Sequence, residues 1–290
     1  MLGSFNMVKY VNNGEINFEK LGEDIPNVVR AMDNVVEEAI YPLEKQKIEE
    51  KSKRRMGLGV TGFANALEAC GYPYATDEFI EKEEQVLSFI NNECYRESVN
   101  LAKEKGSFPL FERDKYLQGE FIKNLPQDIK DGIYEYGIRN SHLTSIAPTG
   151  TISLTADNVS SGIEPVFTYG FTRTIQTFDG EIQEDVTDFA YREWGLEGRK
   201  AQDIEVEDHV RVLNAAQKYV DSSCSKTCNV GDDVTWERFK DVYLQAYKGG
   251  AKGCTTFRAA GKRYGILNEN SKEKQNDEKY EQEYIDDEDS

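Results

Sequence analysis

Short apolar runs alternate along this chain with longer segments of helical period, and no other feature of the sequence limits the fold as much. The helical segments repeat apolar residues every three or four positions, at residues 28–39, 86–94, 206–220 and 236–246. The shorter runs are typical of strands, at residues 56–60, 143–146, 165–168 and 255–258. This alternation predicts an α/β fold with a mostly parallel sheet, which binds ligands at the carboxyl ends of its strands.

The run at 143–146 leads into a Pro-Thr-Gly-Thr turn and then into a helix-compatible stretch. Pro148 would end the strand ladder, and Gly150 would let a ligand approach the backbone. The first amides of a helix have no partner within it, and together with the helix dipole they attract anions. The segment is therefore a candidate phosphate site, and a helix start capped by Ser or Thr without a ligand is the alternative reading.

Charge and hydropathy exclude several classes of protein. The net charge of −18 disfavours binding to nucleic acid backbones, so any bound phosphate needs a local set of donors. No run of 18 apolar residues is present to span a membrane, and residues 1–10 lack the pattern of a secretory signal. Five irregularly spaced cysteines fit a reducing cytoplasm better than a disulfide framework.

The cysteines and histidines give weaker signals. Cys224 and Cys228 flank Lys226, so a redox or metal pair is one reading of them. Zinc would need further ligands, and His142 and His209 are the only histidines. Buried thiols are the preferred interpretation, and no metal site is predicted. His209 is interpreted as structural, whereas a substrate-facing role for His142 stays open.

Gly57, Gly59 and Gly62 have the Gly-x-Gly-x-x-Gly spacing of a dinucleotide fingerprint. No ribose-binding acidic residue follows in a new strand about 20 residues later, as that fingerprint requires. Close packing of a strand against a helix is the expected reason for these glycines.

Several ordered segments together resemble ribonucleotide reductase large subunits. The most specific is Ile146-Ala-Pro-Thr-Gly-Thr-Ile-Ser153, followed by Asn158-Val-Ser-Ser-Gly-Ile-Glu-Pro165. Leu2-Gly-Ser-Phe-Asn6 and Arg54-Arg-Met-Gly-Leu-Gly-Val precede them, and residues 217–221, 225–227 and 252–258 follow. The resemblance extends from Leu2 to about Arg263.

The resemblance implies the C-terminal part of a ten-stranded α/β barrel with a central finger loop. The family reduces ribonucleotides to 2′-deoxyribonucleotides for DNA synthesis. Its Pro-Thr-Gly-Thr loop holds the substrate phosphates. Carried over to this sequence, that role falls on Pro148, Thr149, Gly150, Thr151, Ile152 and Ser153.

The subclass that the sequence resembles most is the adenosylcobalamin-dependent one. The Gly-Ile-Glu-Pro segment and residues 252–258 resemble that class. The diiron-dependent class has a tyrosine pair near its C-terminal barrel strand, whereas this chain reads Cys254-Thr-Thr-Phe-Arg258. The resemblance therefore implies adenosylcobalamin as the cofactor, and a fragment of a diiron-dependent subunit is the alternative.

The chain departs from the family in its catalytic residues. The radical-bearing Cys, with its Asn and Glu in an Asn-x-Cys-x-Glu finger loop, has no match here and is expected upstream of Met1. The resemblance thus implies a split reductase: a separate N-terminal polypeptide supplies the finger loop, and a thiol reductant such as thioredoxin or glutaredoxin regenerates the enzyme. A non-catalytic nucleotide-binding remnant is the competing reading.

One folded domain and a disordered tail are expected. Residues 1–267 would form the C-terminal part of the catalytic barrel. Residues 268–290 are rich in acidic and other polar residues and poor in apolar ones, which predicts a disordered tail.

Overall fold

Helices account for about half of the residues that the computed structural model describes, which are 1–177, 180–231, 234–258 and 267–269. The helices in these residues are α1 (Phe18–Glu38), α2 (Glu44–Lys53), α3 (Phe63–Ala69), α4 (Asp77–Lys105), α5 (Arg113–Leu117), α6 (Glu120–Lys123), α7 (Gln127–Tyr136), α8 (Gly150–Thr155), α9 (Phe189–Trp194), α10 (Val206–Gln217) and α11 (Trp236–Lys248). The four predicted helical segments correspond to parts of α1, α4, α10 and α11.

The strands are short. They are β1 (Leu2–Asn6), β2 (Val11–Asn12), β3 (Glu15–Ile16), β4 (Gly57–Thr61), β5 (Gly170–Thr177), β6 (Gly180–Thr187), β7 (Thr227–Asn229), β8 (Thr255–Phe257) and β9 (Leu267–Glu269). The predicted strands at 56–60 and 255–258 are confirmed as β4 and β8 within one residue.

Side-chain caps explain where several helices begin. Asn17 accepts the amide of Lys20 before α1, and Thr76 accepts the amide of Phe79 before α4. Thr235 accepts the amide of Arg238 before α11.

Five segments run side by side in one direction, and we call them the parallel layer. β1 pairs with β4, and β4 bonds to residues 143–146 through the Leu58 amide and the Leu143 carbonyl (2.8 Å). Residues 143–146 bond in turn to residues 222–229, where the Ser225 amide donates to the Ile146 carbonyl (2.8 Å). β7, the end of that fourth segment, pairs with β8. The predicted parallel arrangement is confirmed for this layer.

The layer is open in the described part of the chain. The outer edges of β1 and β8 have no strand partner among the described residues, and no sheet there closes on itself. The expected ten-stranded barrel is thus not visible, and the described residues show five parallel segments.

The main core lies between the layer and the long helices. α1 and α4 pack against each other and bury one face each, with Leu21, Ile25 and Val29 on α1 and Val86 and Ile90 on α4. These stripes recur every three or four residues because 3.6 residues make one helical turn. No described helix combines the length and apolar character needed to cross a bilayer.

Two details differ from the sequence-based expectations. Residues 165–168 form no strand, and only Val166 makes an isolated parallel bridge, to Lys200. An unpredicted antiparallel sheet of order β6-β5-β9 follows. Of the predicted acidic tail, Asn268 and Glu269 belong to β9, and residues 270–290 lie outside the described residues.

Candidate phosphate-binding site

The candidate site lies at the carboxyl end of the parallel layer. Residues 143–146 pass between β4 and residues 222–229, and the chain then turns at Pro148 and Thr149 into α8. β1 and β4 run parallel to this segment, so Asn6 and Thr61 end at the same side of the layer. This is the edge at which parallel sheets bind ligands.

Thr149 holds the turn in its unusual shape. Its φ of 49° is in the left-handed region, which costs free energy for a non-glycine residue. The buried Oγ1 accepts the amide of Gly162 (2.7 Å) and bonds to the Thr61 hydroxyl (3.0 Å). The Ser153 amide donates to the Thr149 carbonyl (2.7 Å). These contacts fix the turn against β4 and the following loop.

The tip of the turn faces outward. Pro148, Gly150, Thr151 and Ile152 are exposed, and the amides of the last three have no acceptor among the described residues. A Cβ at Gly150 would meet nothing within 4 Å, so there is open space in front of the backbone. The turn thus presents three adjacent amide donors to a space that an anion can enter.

Ser153 points the other way. It is buried, and its hydroxyl donates to the Gly150 carbonyl (2.9 Å) and lies 3.2 Å from the Ser161 hydroxyl. Of the six predicted residues, Thr149 and Ser153 therefore brace the turn, whereas the other four form its exposed tip.

A second loop, residues 158–162, supports the turn from behind. The backbone amide of Ser160 donates to Asn65 Oδ1 (2.6 Å). The side-chain Nδ2 of Asn65 donates to the Asp188 carboxylate (3.2 Å). Gly162, with φ of 52°, passes so close that a Cβ there would lie 2.9 Å from the Ala147 carbonyl oxygen. Asn65 and Asp188 were not identified from the sequence, because they are far from the turn along the chain.

Glu164 continues this loop into a buried ionic cluster. The fully buried Lys226 Nζ donates to Glu164 Oε2 (2.6 Å) and to His209 Nδ1 (2.9 Å). Burial, and then the Lys226 charge, lowers the pKa of His209 to about 3, so the imidazole is neutral and its other nitrogen donates to the Ala201 carbonyl (3.3 Å). The interpretation of His209 as structural agrees with these contacts.

Asn6 also belongs to this edge. Its Oδ1 is a buried acceptor with no partner among the described residues, and a Cβ on Gly62 would lie 3.0 Å from it. An unpaired buried acceptor is costly. Asn6 ends the Leu2–Asn6 segment of the family resemblance, but no sequence pattern indicates an unpaired acceptor at this position.

His142 lies at the opposite end of the layer. Its carbonyl accepts the Met56 amide where residues 143–146 begin, so its segment runs from it toward the turn. Burial is the main reason that its pKa is lowered, and Asp221 opposes that effect. His142 is therefore remote from the candidate phosphate turn.

The glycines of β4 have a different role from the one expected. A Cβ at Gly59 would overlap the Ser145 carbonyl oxygen, and one at Gly57 would lie 2.8 Å from the Ser145 Cβ. These positions are glycine because a neighbouring strand lies close, not a helix. Gly62, with φ of 65°, caps α3.

The predicted burial of Cys224 and Cys228 is confirmed. They do not form a pair with each other. Instead Cys228 Sγ lies 3.7 Å from Cys254 Sγ, a contact that the sequence did not reveal.

A family comparison agrees with this geometry. The family described as "Ribonucleotide reductase, barrel domain" matches residues 1–194 and 198–257. The chain belongs to this ribonucleotide reductase family.

Curated relatives of this reductase barrel chain include two named vitamin B12-dependent ribonucleoside-diphosphate reductase. The one from Thermoplasma acidophilum is 33% identical over 92% of the chain, and the one from Mycobacterium tuberculosis (strain CDC 1551 / Oshkosh) is 29% identical over 92%. A ribonucleoside-diphosphate reductase subunit alpha from Chlamydia pneumoniae is 27% identical over 87% of the chain. The chain spans 36%, 40% and 29% of these relatives, respectively.

Proposed function

We propose that this chain is the C-terminal part of a ribonucleotide reductase catalytic subunit, in which the turn at residues 148–153 holds the substrate phosphates. The enzyme would convert ribonucleotides to 2′-deoxyribonucleotides. The observation that carries the proposal is the set of three exposed amides without acceptors, at Gly150, Thr151 and Ile152, at the ligand-binding edge of a reductase barrel domain.

The electrostatics of the chain are consistent with such a site. A net charge of −18 repels a nucleotide at long range, so binding depends on short-range donors. Backbone amides serve this purpose because they donate hydrogen bonds without titrating. Thr149 and Ser153 would act indirectly, by holding the three amides in one direction.

We further propose adenosylcobalamin as the cofactor. Two relatives that cover most of the chain carry vitamin B12 in their names, and β8 reads Thr255-Thr-Phe257, without a tyrosine pair. The cofactor would supply the initiating radical. Neither described histidine is available as a cobalt ligand at the carboxyl end of the parallel layer. His209 is buried with both ring nitrogens hydrogen-bonded, and His142 lies at the other end of the layer. No step through the cofactor is therefore assigned to this chain.

We propose that a separate N-terminal polypeptide carries the finger loop with the radical cysteine. The edge of β1 that has no strand partner among the described residues offers a place for the strands of such a polypeptide. Thioredoxin or glutaredoxin would then serve as the external reductant, in the cytoplasm. The barrel would extend to residue 267, with an acidic tail at 268–290.

The test is reconstitution. The full chain is mixed with an N-terminal polypeptide that carries the Asn-x-Cys-x-Glu loop, and deoxynucleotide formation is measured with ribonucleoside di- and triphosphates, with and without adenosylcobalamin. We expect turnover only from the mixture, and only with the cofactor. Full activity of the isolated chain would refute the split arrangement, and turnover without cobalamin would refute the cofactor. A mixture that binds nucleotide without any turnover would favour the non-catalytic remnant.

Substitution at Gly150 tests the turn itself. Because a Cβ there meets no protein atom, Gly150→Ala should leave the fold intact, while the methyl group obstructs a phosphate at the amides. We expect KM for the nucleotide to rise roughly tenfold, a loss of about 1.4 kcal/mol in binding. Gly253→Ala is the matched control, because its Cβ also meets open space. Equal KM values for the two variants would contradict the proposed role of the turn.

A further inference from the structure

Two thiols meet at the last strand pair of the parallel layer. Cys228 lies in β7 and Cys254 directly precedes β8, and their Sγ atoms are 3.7 Å apart. From this contact we propose that Cys228 and Cys254 form a reversible disulfide when the protein is exposed to a peroxide. The proposal is independent of the nucleotide site.

The strand register places both side chains on one face. Cys228 is paired with Thr256, and Cys254 precedes Thr256 by two residues. Residues two apart in a strand point to the same face, so the cysteines are diagonal neighbours across the pair. The sulfurs need to approach by less than 2 Å to reach the length of a disulfide bond.

The two thiols differ in accessibility and acidity. Cys228 is buried, whereas Cys254 is partly exposed. The hydrogen bond from Cys228 lowers the pKa of Cys254 despite its partial burial, and the Lys226 charge contributes in the same direction. That hydrogen bond and burial raise the pKa of Cys228. Cys254 is therefore the thiol that solvent reaches and that ionises first.

The reaction then has a defined order. The Cys254 thiolate attacks one oxygen of hydrogen peroxide, the O–O bond breaks, and Cys254 becomes a sulfenic acid while hydroxide leaves and takes up a proton. The Cys228 sulfur next attacks the Cys254 sulfur, so the S–S bond forms and the S–O bond breaks. The second hydroxide takes the Cys228 proton. Two thiols and one peroxide give one disulfide and two waters.

The remaining cysteines provide internal controls. Cys94 and Cys224 are buried, and burial raises the pKa of both. Cys70 is partly exposed like Cys254, but burial raises its pKa, and no second thiol contacts it among the described residues. Accessibility alone would make Cys70 and Cys254 react alike, whereas the proposed pair makes Cys254 form an internal disulfide.

The experiment is tryptic mapping of the full chain after a small excess of hydrogen peroxide and alkylation of the remaining thiols. Trypsin places each cysteine in its own peptide, with Cys228 in residues 227–238 and Cys254 in residues 253–258. We expect one disulfide-linked species of these two peptides, a loss of two of the five free thiols, and full recovery with dithiothreitol. The variant Cys70→Ser should give the same linked species.

Two variants separate pairing from simple oxidation. Cys228→Ser should leave Cys254 to accumulate as sulfenic acid and then as sulfinic acid, which dithiothreitol does not reverse. Cys254→Ser should protect Cys228, since the buried thiol has no accessible partner. Irreversible oxidation of Cys254 in the wild-type chain, or a linkage to Cys70 instead, would overturn the proposal. The wild-type map decides this even if a variant fails to fold.

Discussion

The hydroxyl of Thr149 connects three parts of the candidate site. It accepts the amide of Gly162 and bonds to Thr61, while its own backbone adopts a left-handed conformation. We expect Thr149→Val to keep the side-chain shape but leave the Gly162 amide unpaired in the interior. The free energy of unfolding should fall by about 1–3 kcal/mol, as measured by urea denaturation. Thr155→Val, on the exposed end of the same helix, should change it by less than about 0.5 kcal/mol. Equal losses would show that Thr149 Oγ1 has no special role.

Glu83 predicts a pH dependence of stability. It is fully buried on α4, neither carboxyl oxygen has a described partner, and burial raises its pKa well above 4.5. Below pH of about 4.5 the group is protonated in both the folded and unfolded chain. Above that pH only the unfolded chain ionises, so this group lowers the stability as pH rises toward its folded pKa.

Glu83→Gln removes this titration. We expect the stability of the variant relative to the wild type to be greater at pH 8 than at pH 5, by up to about 1.4 kcal/mol for each pH unit crossed. Urea denaturation of both proteins at both pH values measures this difference in the free energy of unfolding. The contributions of the titrating groups that both proteins share cancel in it. A difference that does not change with pH would mean that Glu83 ionises in the folded protein.

At the scale of elements, Lys226 joins the strand that begins at Thr227 to the loop behind the candidate phosphate turn. Lys226→Met leaves the Glu164 carboxylate without its cation, and Glu164 is only 22% exposed. We expect a loss of about 3 kcal/mol in the free energy of unfolding. The double variant Lys226→Met/Glu164→Gln should recover part of this loss, because the uncompensated charge is gone while the Thr227 amide keeps an acceptor.

Lys218→Met is the control for that pair, since Lys218 forms an ion pair with Glu84 at the surface. It should cost about 0–1 kcal/mol. If Lys226→Met costs no more than the surface variant, or if the double variant is less stable than Lys226→Met, the buried ion pair does not hold the loop.

Elements with a local signal could be predicted from the sequence, and those without one could not. α10 was predicted because it buries one stripe of apolar residues. α11 was predicted from the helical spacing of its apolar residues, but only Val242 and Ala246 of that helix are buried, and Trp236 and Tyr243 of the expected stripe are exposed. β5 and β6 were missed because their residues are mostly polar, and β7 because three residues are too few for a period. The turn at residues 148–153 also has a local signal, because proline, glycine and hydroxyl residues are consecutive there.

The contacts of the residues that support the site could be identified only from the tertiary structure. Asn65 contacts Ser160 and Asp188, 95 and 123 positions away along the chain. The contact between Cys228 and Cys254 depends on the pairing of β7 with β8. No pattern within one segment encodes such contacts, because they arise only when separate segments pack together.

At the scale of the whole molecule, the edge of β1 allows a test of the proposed completion of the barrel. A strand offers backbone groups on both sides, and among the described residues β4 occupies only one side of β1. If a separate N-terminal polypeptide completes the barrel, its strands should cover the other side. The amides of Leu2–Asn6 that do not bond to β4 should then exchange with deuterium at least about tenfold more slowly in the complex, because their opening must now break new strand pairing. β4 is the internal control, since it already has a neighbour on each side. Slower exchange at both strands would indicate a general stabilisation of the chain. Unchanged exchange at β1 in an active complex would mean that the partner completes the enzyme without pairing at this edge.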